Sequence, residues 1–83
     1  MRLRQGLPDE GVPYAERALS LNRQMASRRG EAISLLLLAQ CCRAAGRERE
    51  AEEHARTCLN VNSAMGDEEG ARRAQWLLDQ LAV

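Results

Sequence analysis

The sequence repeats itself with an offset of 40 positions, and this repeat limits the possible folds more than any other feature of the chain. Glycines, aliphatic residues and amides recur at matching positions. The identical pairs are Gly6 and Gly46, Glu10 and Glu50, Ala15 and Ala55, Leu19 and Leu59, Asn22 and Asn62, Met25 and Met65, Gly30 and Gly70, Leu37 and Leu77, Leu38 and Leu78, and Gln40 and Gln80. A fixed period of about 20 to 50 residues is typical of solenoids, in which each unit buries its apolar face against its neighbours. The sequence therefore predicts a short stacked array.

Turn-forming residues divide the chain into four segments. Gly, Pro, Asp or Ser residues occur at positions 6–9, 27–30, 46 and 66–67, where we expect turns. The segments between or after them are about 9–27, 30–45, 47–65 and 67–82. Apolar and small residues recur within each segment at spacings of three and four, which indicates helices. The expected fold class is therefore all-α, with about four helices.

Several residues refine this helical prediction. Pro13 is expected near the first turn of the first helix, Gly66 at the left-handed C-cap of the third, and Asp67 at the N-cap of the fourth. The second segment, with apolar residues from Ile33 to Ala39, is apolar nearly all round. Such a pattern is typical of a helix that is covered on several sides.

Composition excludes several classes of function. The chain has 83 residues, enough for one domain over 1–83, and its 12 basic and 12 acidic residues leave a net charge of zero. Neutrality argues against nucleic acid and against an anionic membrane surface as partners. The chain also has no apolar run of membrane-spanning length and no apolar core of a signal peptide near Met1. We therefore expect a cytoplasmic location.

The residues that could carry chemistry are few. The chain has an odd number of cysteines, namely Cys41, Cys42 and Cys58, which argues against a set of disulfides. We interpret them as reduced packing residues that lie largely shielded in the fold. A metal site formed by them with His54 is the alternative, but the chain has neither a Cys-x-x-Cys nor a His-x-x-x-His pair. His54 lies among charged residues without an evident nucleophile, and no phosphate-binding loop is present. We expect no catalytic activity, no metal and no cofactor.

The stretch from Leu35 to Val61 resembles a tetratricopeptide repeat. The matching positions are Leu35, Leu38, Ala39 and Cys42 on a first helix, Gly46 at the turn, and Ala51, Ala55, Cys58 and Leu59 on a second helix. The period near 40 and the turn at 66–70 are similar to those of the long-helix subclass. The resemblance covers almost the whole chain and implies antiparallel helical hairpins stacked as a short right-handed α-solenoid.

Some positions depart from the family pattern. Cys42 and Ala55 stand where the family usually has aromatic residues, and no Pro follows Val61. The fourth helix is predicted to be shifted by one residue relative to the second, so that Ala71 matches Ala32. Because residues 1–6 align with the end of a first helix, we expect about two repeats taken from a longer or truncated array.

The resemblance also implies a function, a scaffold module that binds a peptide or a partner helix. In this family the groove is lined by the first helix of each repeat. The corresponding residues here are Leu36, Gln40, Arg43, Arg72, Gln75 and Asp79. Arg side chains there can form forked contacts with acidic groups. The alternative interpretation is that these residues are an ordinary solvated face.

Self-association is the second functional hypothesis. Neither end of the chain resembles the polar cap of a natural array, so apolar faces at both ends should lack intrachain cover. On the last helix the candidate residues are Trp76, Leu77, Leu78 and Leu81, and on the first helix they are Val12, Tyr14, Ala15 and Leu19. The expected product is a homodimer.

Overall fold

The computed structural model describes residues 8–82, with side-chain surroundings from residue 11 onward. Four helices make up this part of the chain: α1 (Pro8–Gln24), α2 (Arg28–Ala44), α3 (Glu48–Met65) and α4 (Glu68–Leu81). The predicted all-α fold is therefore confirmed, and the largest difference in bounds is at α1, which ends three residues before the predicted end at 27. Pro13 lies in the second turn of α1, with its ring exposed.

The helices stack in sequence order. Each helix packs against the next, and α2 also contacts α4, whereas α1 makes no comparable contact with α3 or α4 in the described structure. A closed four-helix bundle would bring the first and last helices together. The short turns instead join antiparallel neighbours into an open array, as expected for a helical solenoid. No helix within residues 8–82 combines the length and apolar character needed to span a membrane.

The core is aliphatic and rich in small residues. Its larger cluster comprises Val12, Ala15, Leu19, Ala32, Leu35, Leu38, Cys42, Ala51, Cys58, Val61 and Ala74, and a smaller one comprises Ala39, Ala55 and Leu77. Alanine and cysteine at the contacts let the helix axes approach closely. The prediction that α2 is covered on several sides is correct in part: Ile33 is 63% exposed and Leu37 is 43% exposed, so one side of α2 is open.

The turn between α3 and α4 is built from a left-handed glycine and a capping carboxylate. Gly66 has φ 77°, and its N–H donates to the Ser63 carbonyl at 3.1 Å. The next residue, Asp67, donates its N–H to the Asn62 carbonyl and accepts the Gly70 N–H on Oδ1, both at 2.9 Å. Both predicted caps, at Gly66 and Asp67, are confirmed.

The turn between α1 and α2 has the same hydrogen-bond pattern, with Ala26 (φ 57°) in the place of Gly66 and the Ser27 hydroxyl in the place of the carboxylate. The Ser27 N–H donates to the Asn22 carbonyl at 2.9 Å, and the Ser27 hydroxyl accepts the Gly30 N–H at 3.1 Å. Asn22, Ser27 and Gly30 each lie 40 positions before Asn62, Asp67 and Gly70. The α1–α2 and α3–α4 hairpins are therefore equivalent at an offset of 40 residues.

This equivalence extends into α4. Ser34 of α2 is buried and accepts a hydrogen bond from Asn22 Nδ2 of α1. Its equivalent in α4, Ala74, is fully buried. Cys41 and its equivalent Leu81 are both half-buried. The predicted one-residue shift, with Ala71 matching Ala32, is wrong because the N-cap sets the register of α4 at its first turn.

Candidate functional site

A cleft of about 150 Å³ lies between the N-terminal halves of α2 and α4, and we call it the α2–α4 groove. Its side walls include Ile33 and Leu36 from α2 and Arg73 from α4, and its floor includes Cys58 and Asn62 from α3. The capped turns described above set the relative height of α2 and α4, and so they position both walls.

The charged rim of the groove is made of two long ion pairs. Arg29 Nη1 lies 3.8 Å from Asp67 Oδ2, and Arg73 Nη2 lies 3.7 Å from Glu69 Oε2. The Arg29 and Arg73 side chains are 75% and 66% exposed. Exposed pairs of this kind contribute little to stability. Both guanidinium groups can therefore turn toward a carboxylate supplied by a ligand.

Apolar side chains continue along the groove beyond this rim. Ile33 is exposed, and Leu36 lies partly buried one turn further along α2. On α4, Trp76 follows Arg73 by three residues, shares a shallow depression with it, and is 57% exposed. A ligand that extends from the groove over Arg73 would contact aliphatic side chains of α2 first and the indole of Trp76 beyond Arg73.

The predicted groove residues are divided between two surfaces. Leu36 lines the α2–α4 groove, and Gln40 and Arg43 are exposed further along α2. Arg72, Gln75 and Asp79 are exposed on α4 but are not lining residues of the groove. Gln75 Nε2 donates to Asp79 Oδ1 at 3.0 Å.

The 40-residue offset between equivalent positions explains why the predicted residues of α2 and α4 do not line the same groove. Arg72, Gln75 and Asp79 are equivalent to Ala32, Leu35 and Ala39, which are buried in α2. The equivalents of Ile33, Leu36 and Gln40 are instead Arg73, Trp76 and Gln80. The sequence prediction did not include these three among the groove residues, and assigned Trp76 to self-association, because it followed the shifted apolar stripe of α4. The paired caps Ser27 and Asp67 carry the signal that would have located them.

The residues predicted for self-association belong mainly to the core of the chain itself. Leu77 is 1% exposed and packs with Ala39 and Ala55, and Leu78 and Leu81 are partly buried against the same cluster. On α1, three predicted residues are likewise covered: Val12, Ala15 and Leu19 are 4%, 0% and 7% exposed. For these residues the prediction of an uncovered face is wrong, whereas Trp76 and Tyr14, from the same two sets, are exposed as predicted.

The three cysteines are free thiols in different surroundings. Cys58 is fully buried; its Sγ donates to the Ala32 carbonyl at 3.3 Å and accepts from Asn62 Nδ2 at 3.3 Å. Burial raises the pKa of Cys58, and burial followed by the charge of Glu50 raises the pKa of Cys42. Cys41 is half-buried.

No group of three or more His, Cys, Asp or Glu side chains in the described structure is arranged to hold a metal ion. His54 is half-buried and lines a shallow depression between α1 and α3 with Glu16 and Arg23. None of the three cysteines lines this depression, and the residues considered for a metal site do not form a group in the described structure.

Comparison with known proteins agrees with this architecture. A protein-family model described as a tetratricopeptide repeat matches residues 1–73 of the chain. No curated protein and no solved structure matches the chain significantly.

Proposed function

The chain belongs to the tetratricopeptide repeat family, and from this premise we propose that it binds a peptide or a helix of another protein in the α2–α4 groove. Repeats of this family are generally protein–protein interaction modules and act as scaffolds without catalysis. The coarse function, holding another protein, thus follows from the family. The groove and the chemistry of its ligand are our proposal.

The observation that carries the proposal is the combination of exposed apolar and cationic side chains in the groove and in the shallow depression that adjoins it at Arg73. Ile33 and Trp76 are large apolar residues that remain more than half exposed, and they flank Arg73. An extended segment that crosses Arg73 would place one apolar residue against Ile33 in the groove and another against Trp76 in the adjoining depression. A neighbouring carboxylate would then pair with Arg73 in place of Glu69. Aromatic and Arg residues of this kind often dominate binding energy.

Peptide selection followed by matched variants tests this proposal. Peptides selected from a random library on the immobilised chain should combine apolar and acidic residues. Fluorescence anisotropy should then show at least about tenfold weaker binding for Trp76→Ala and Arg73→Ala, since each removes a contact of more than about 1.4 kcal/mol. Gln75→Ala and Asp79→Ala are the controls, because both residues are exposed on α4 but line neither the groove nor the depression beside Trp76, and both variants should bind normally.

The controls also define the result that would overturn the proposal. Loss of binding in Gln75→Ala and Asp79→Ala, with normal binding in Trp76→Ala and Arg73→Ala, would place the site on the outer stripe of α4. Selected peptides that bind all four variants equally would show that the ligand lies outside the groove.

We also propose a cytoplasmic location and a protein partner rather than nucleic acid or a membrane. The support is the zero net charge and the three thiols, which a reducing compartment would keep reduced. Homodimer formation stays a prediction, and the burial of Leu77 removes one of the four α4 residues that were its candidates.

A further inference from the structure

In the stack, α2 receives the helix that follows it on a small and aliphatic stripe. The residues of this stripe are each at most 4% exposed, and they are Ala32, Leu35, Ala39 and Cys42. Cys58 of α3 donates its thiol to the Ala32 carbonyl at 3.3 Å, and Ala55 of α3 packs with Ala39. We call these positions of a helix its outer stripe, because they face the next helix of the stack.

The outer stripe of α4 is polar. The positions 40 residues after those of α2 are occupied by Arg72, Gln75, Asp79 and Ala82, and all four residues are exposed. Gln75 Nε2 donates to Asp79 Oδ1 at 3.0 Å, so two of these side chains pair with each other on the helix surface. Three side chains that water can hydrate thus replace two alanines and a leucine.

On its opposite side α4 resembles α2. Ala74 and Leu77 are 0% and 1% exposed, because α4 packs against α3 and also contacts α2. Toward the groove, Trp76 is a large apolar residue at the position equivalent to Leu36. The helix is therefore built to cover the helices before it, and it differs from α2 most completely on the side where a following helix would lie.

We infer that α4 closes the helical stack, because its outer stripe prevents a further helix from packing on α4 as α3 packs on α2. A helix in that position would remove water from a guanidinium, an amide and a carboxylate. The hydrogen bond between Gln75 and Asp79 satisfies only part of these groups, and burial of the remainder without partners is unfavourable. Stacked arrays require a polar outer face at their ends, and α4 has such a face.

The register of α4 decides this assignment. From the sequence we expected neither end of the chain to resemble a polar cap, with Ala71 in the place of Ala32. That register would give α4 an apolar outer stripe of Ala71, Ala74, Leu78 and Leu81. The Asp67 cap instead sets Arg72 at the position of Ala32. The assignment concerns how α4 packs, whatever residues precede or follow the chain, and it does not depend on a ligand in the α2–α4 groove.

A second copy of α3 added to the same chain tests the inference. Residues 44–66, appended directly after Val83, place the added helix at an offset of 40 from α3. The recipient chains are the native one and an Arg72→Ala/Gln75→Leu/Asp79→Ala variant, whose outer stripe matches that of α2. The control segment carries Asp at the added positions of Ala55 and Cys58, which removes the surface that packs on α2.

The melting temperature, measured in reductant, should depend on the recipient stripe. In the triple variant the added helix should raise the melting temperature several degrees above that of the control segment. In the native chain the two segments should give the same melting temperature. Amide hydrogen exchange should likewise show protection of the added helix in the triple variant alone. Because the three replaced side chains are exposed, the variant should fold, as circular dichroism would verify.

Two results would overturn the inference. An equal rise in both recipients would show that the polar stripe accepts a helix. No rise in either recipient would show that something other than these three side chains keeps a helix from packing on α4. Gln75→Leu alone restores the largest side chain of the α2 stripe and should give a smaller rise, and it replaces the triple variant if that chain does not fold.

Discussion

Asn62 and Gly70 pack so closely that a methyl group on residue 70 would lie 2.5 Å from the Oδ1 atom of Asn62. Asn62 is 4% exposed, and its Nδ2 donates to the Cys58 carbonyl at 3.1 Å, so its side chain is held in place. The contact joins the end of α3 to the start of α4. Residue 70 must therefore be glycine for α4 to begin at this distance.

Substitution of this glycine should separate helix propensity from packing. Alanine is preferred over glycine within a helix by about 1 kcal/mol, whereas overpacking costs about 1–3 kcal/mol. Gly70→Ala should therefore lower the unfolding free energy in urea. In an Asn62→Ala background the same change should raise it, because the obstructing amide is gone. A stabilising effect of Gly70→Ala in the native background would contradict the close contact.

The two equivalent leucines should differ sharply in their contribution to stability. Leu77→Ala should lower the unfolding free energy by about 2–5 kcal/mol, because it leaves a cavity in the core. Leu37→Ala should cost under about 1 kcal/mol, because that side chain is 43% exposed. Urea unfolding of both variants provides the measurement. Equal losses would mean that Leu37 is covered in solution, by a second copy or by another part of the chain.

Stability should fall in alkaline solution because of Cys58. Burial raises the pKa of this thiol above its ordinary value of 9.0, so the folded chain keeps a proton that the unfolded chain releases. The stabilisation from the protonated thiol is complete below about pH 9 and is lost as pH rises toward the higher folded-state pKa. Unfolding free energies measured between pH 7 and 10 should decline less in Cys58→Ser than in the native chain. An identical decline would assign the pH dependence to other groups.

Thiol labelling of the native chain should proceed in a defined order. Cys41 is half-buried, whereas Cys42 and Cys58 are buried at 1% and 0% exposure with raised pKa values. A thiol reagent should modify Cys41 first and the other two only at the rate of local or global opening, since the thiolate is the reactive form. Mass spectrometry of peptides from partly labelled protein would establish the order. Labelling of Cys58 ahead of Cys41 would contradict this assignment.

The amino-acid sequence alone determined the period, the four helices and the caps. These follow from local chemistry: Asp67 can accept the N–H of Gly70, and Gly66 can adopt a positive φ, wherever the chain places them. The 40-residue repeat likewise identifies a stacked array, because each hairpin needs a neighbour to cover its apolar side. The resemblance to tetratricopeptide repeats rested on these features and is confirmed by the family match.

Tertiary structure decided which equivalent residues are buried and which line the α2–α4 groove. Leu37 and Leu77 have the same side chain and the same place in the repeat, and only the presence of α2 beside Leu77 separates their exposures. Similarly, Trp76 rather than Gln75 lines up with Leu36 because the Asp67 cap sets where α4 begins. Burial depends on neighbours that are distant in the sequence, so no pattern within one helix could have shown it.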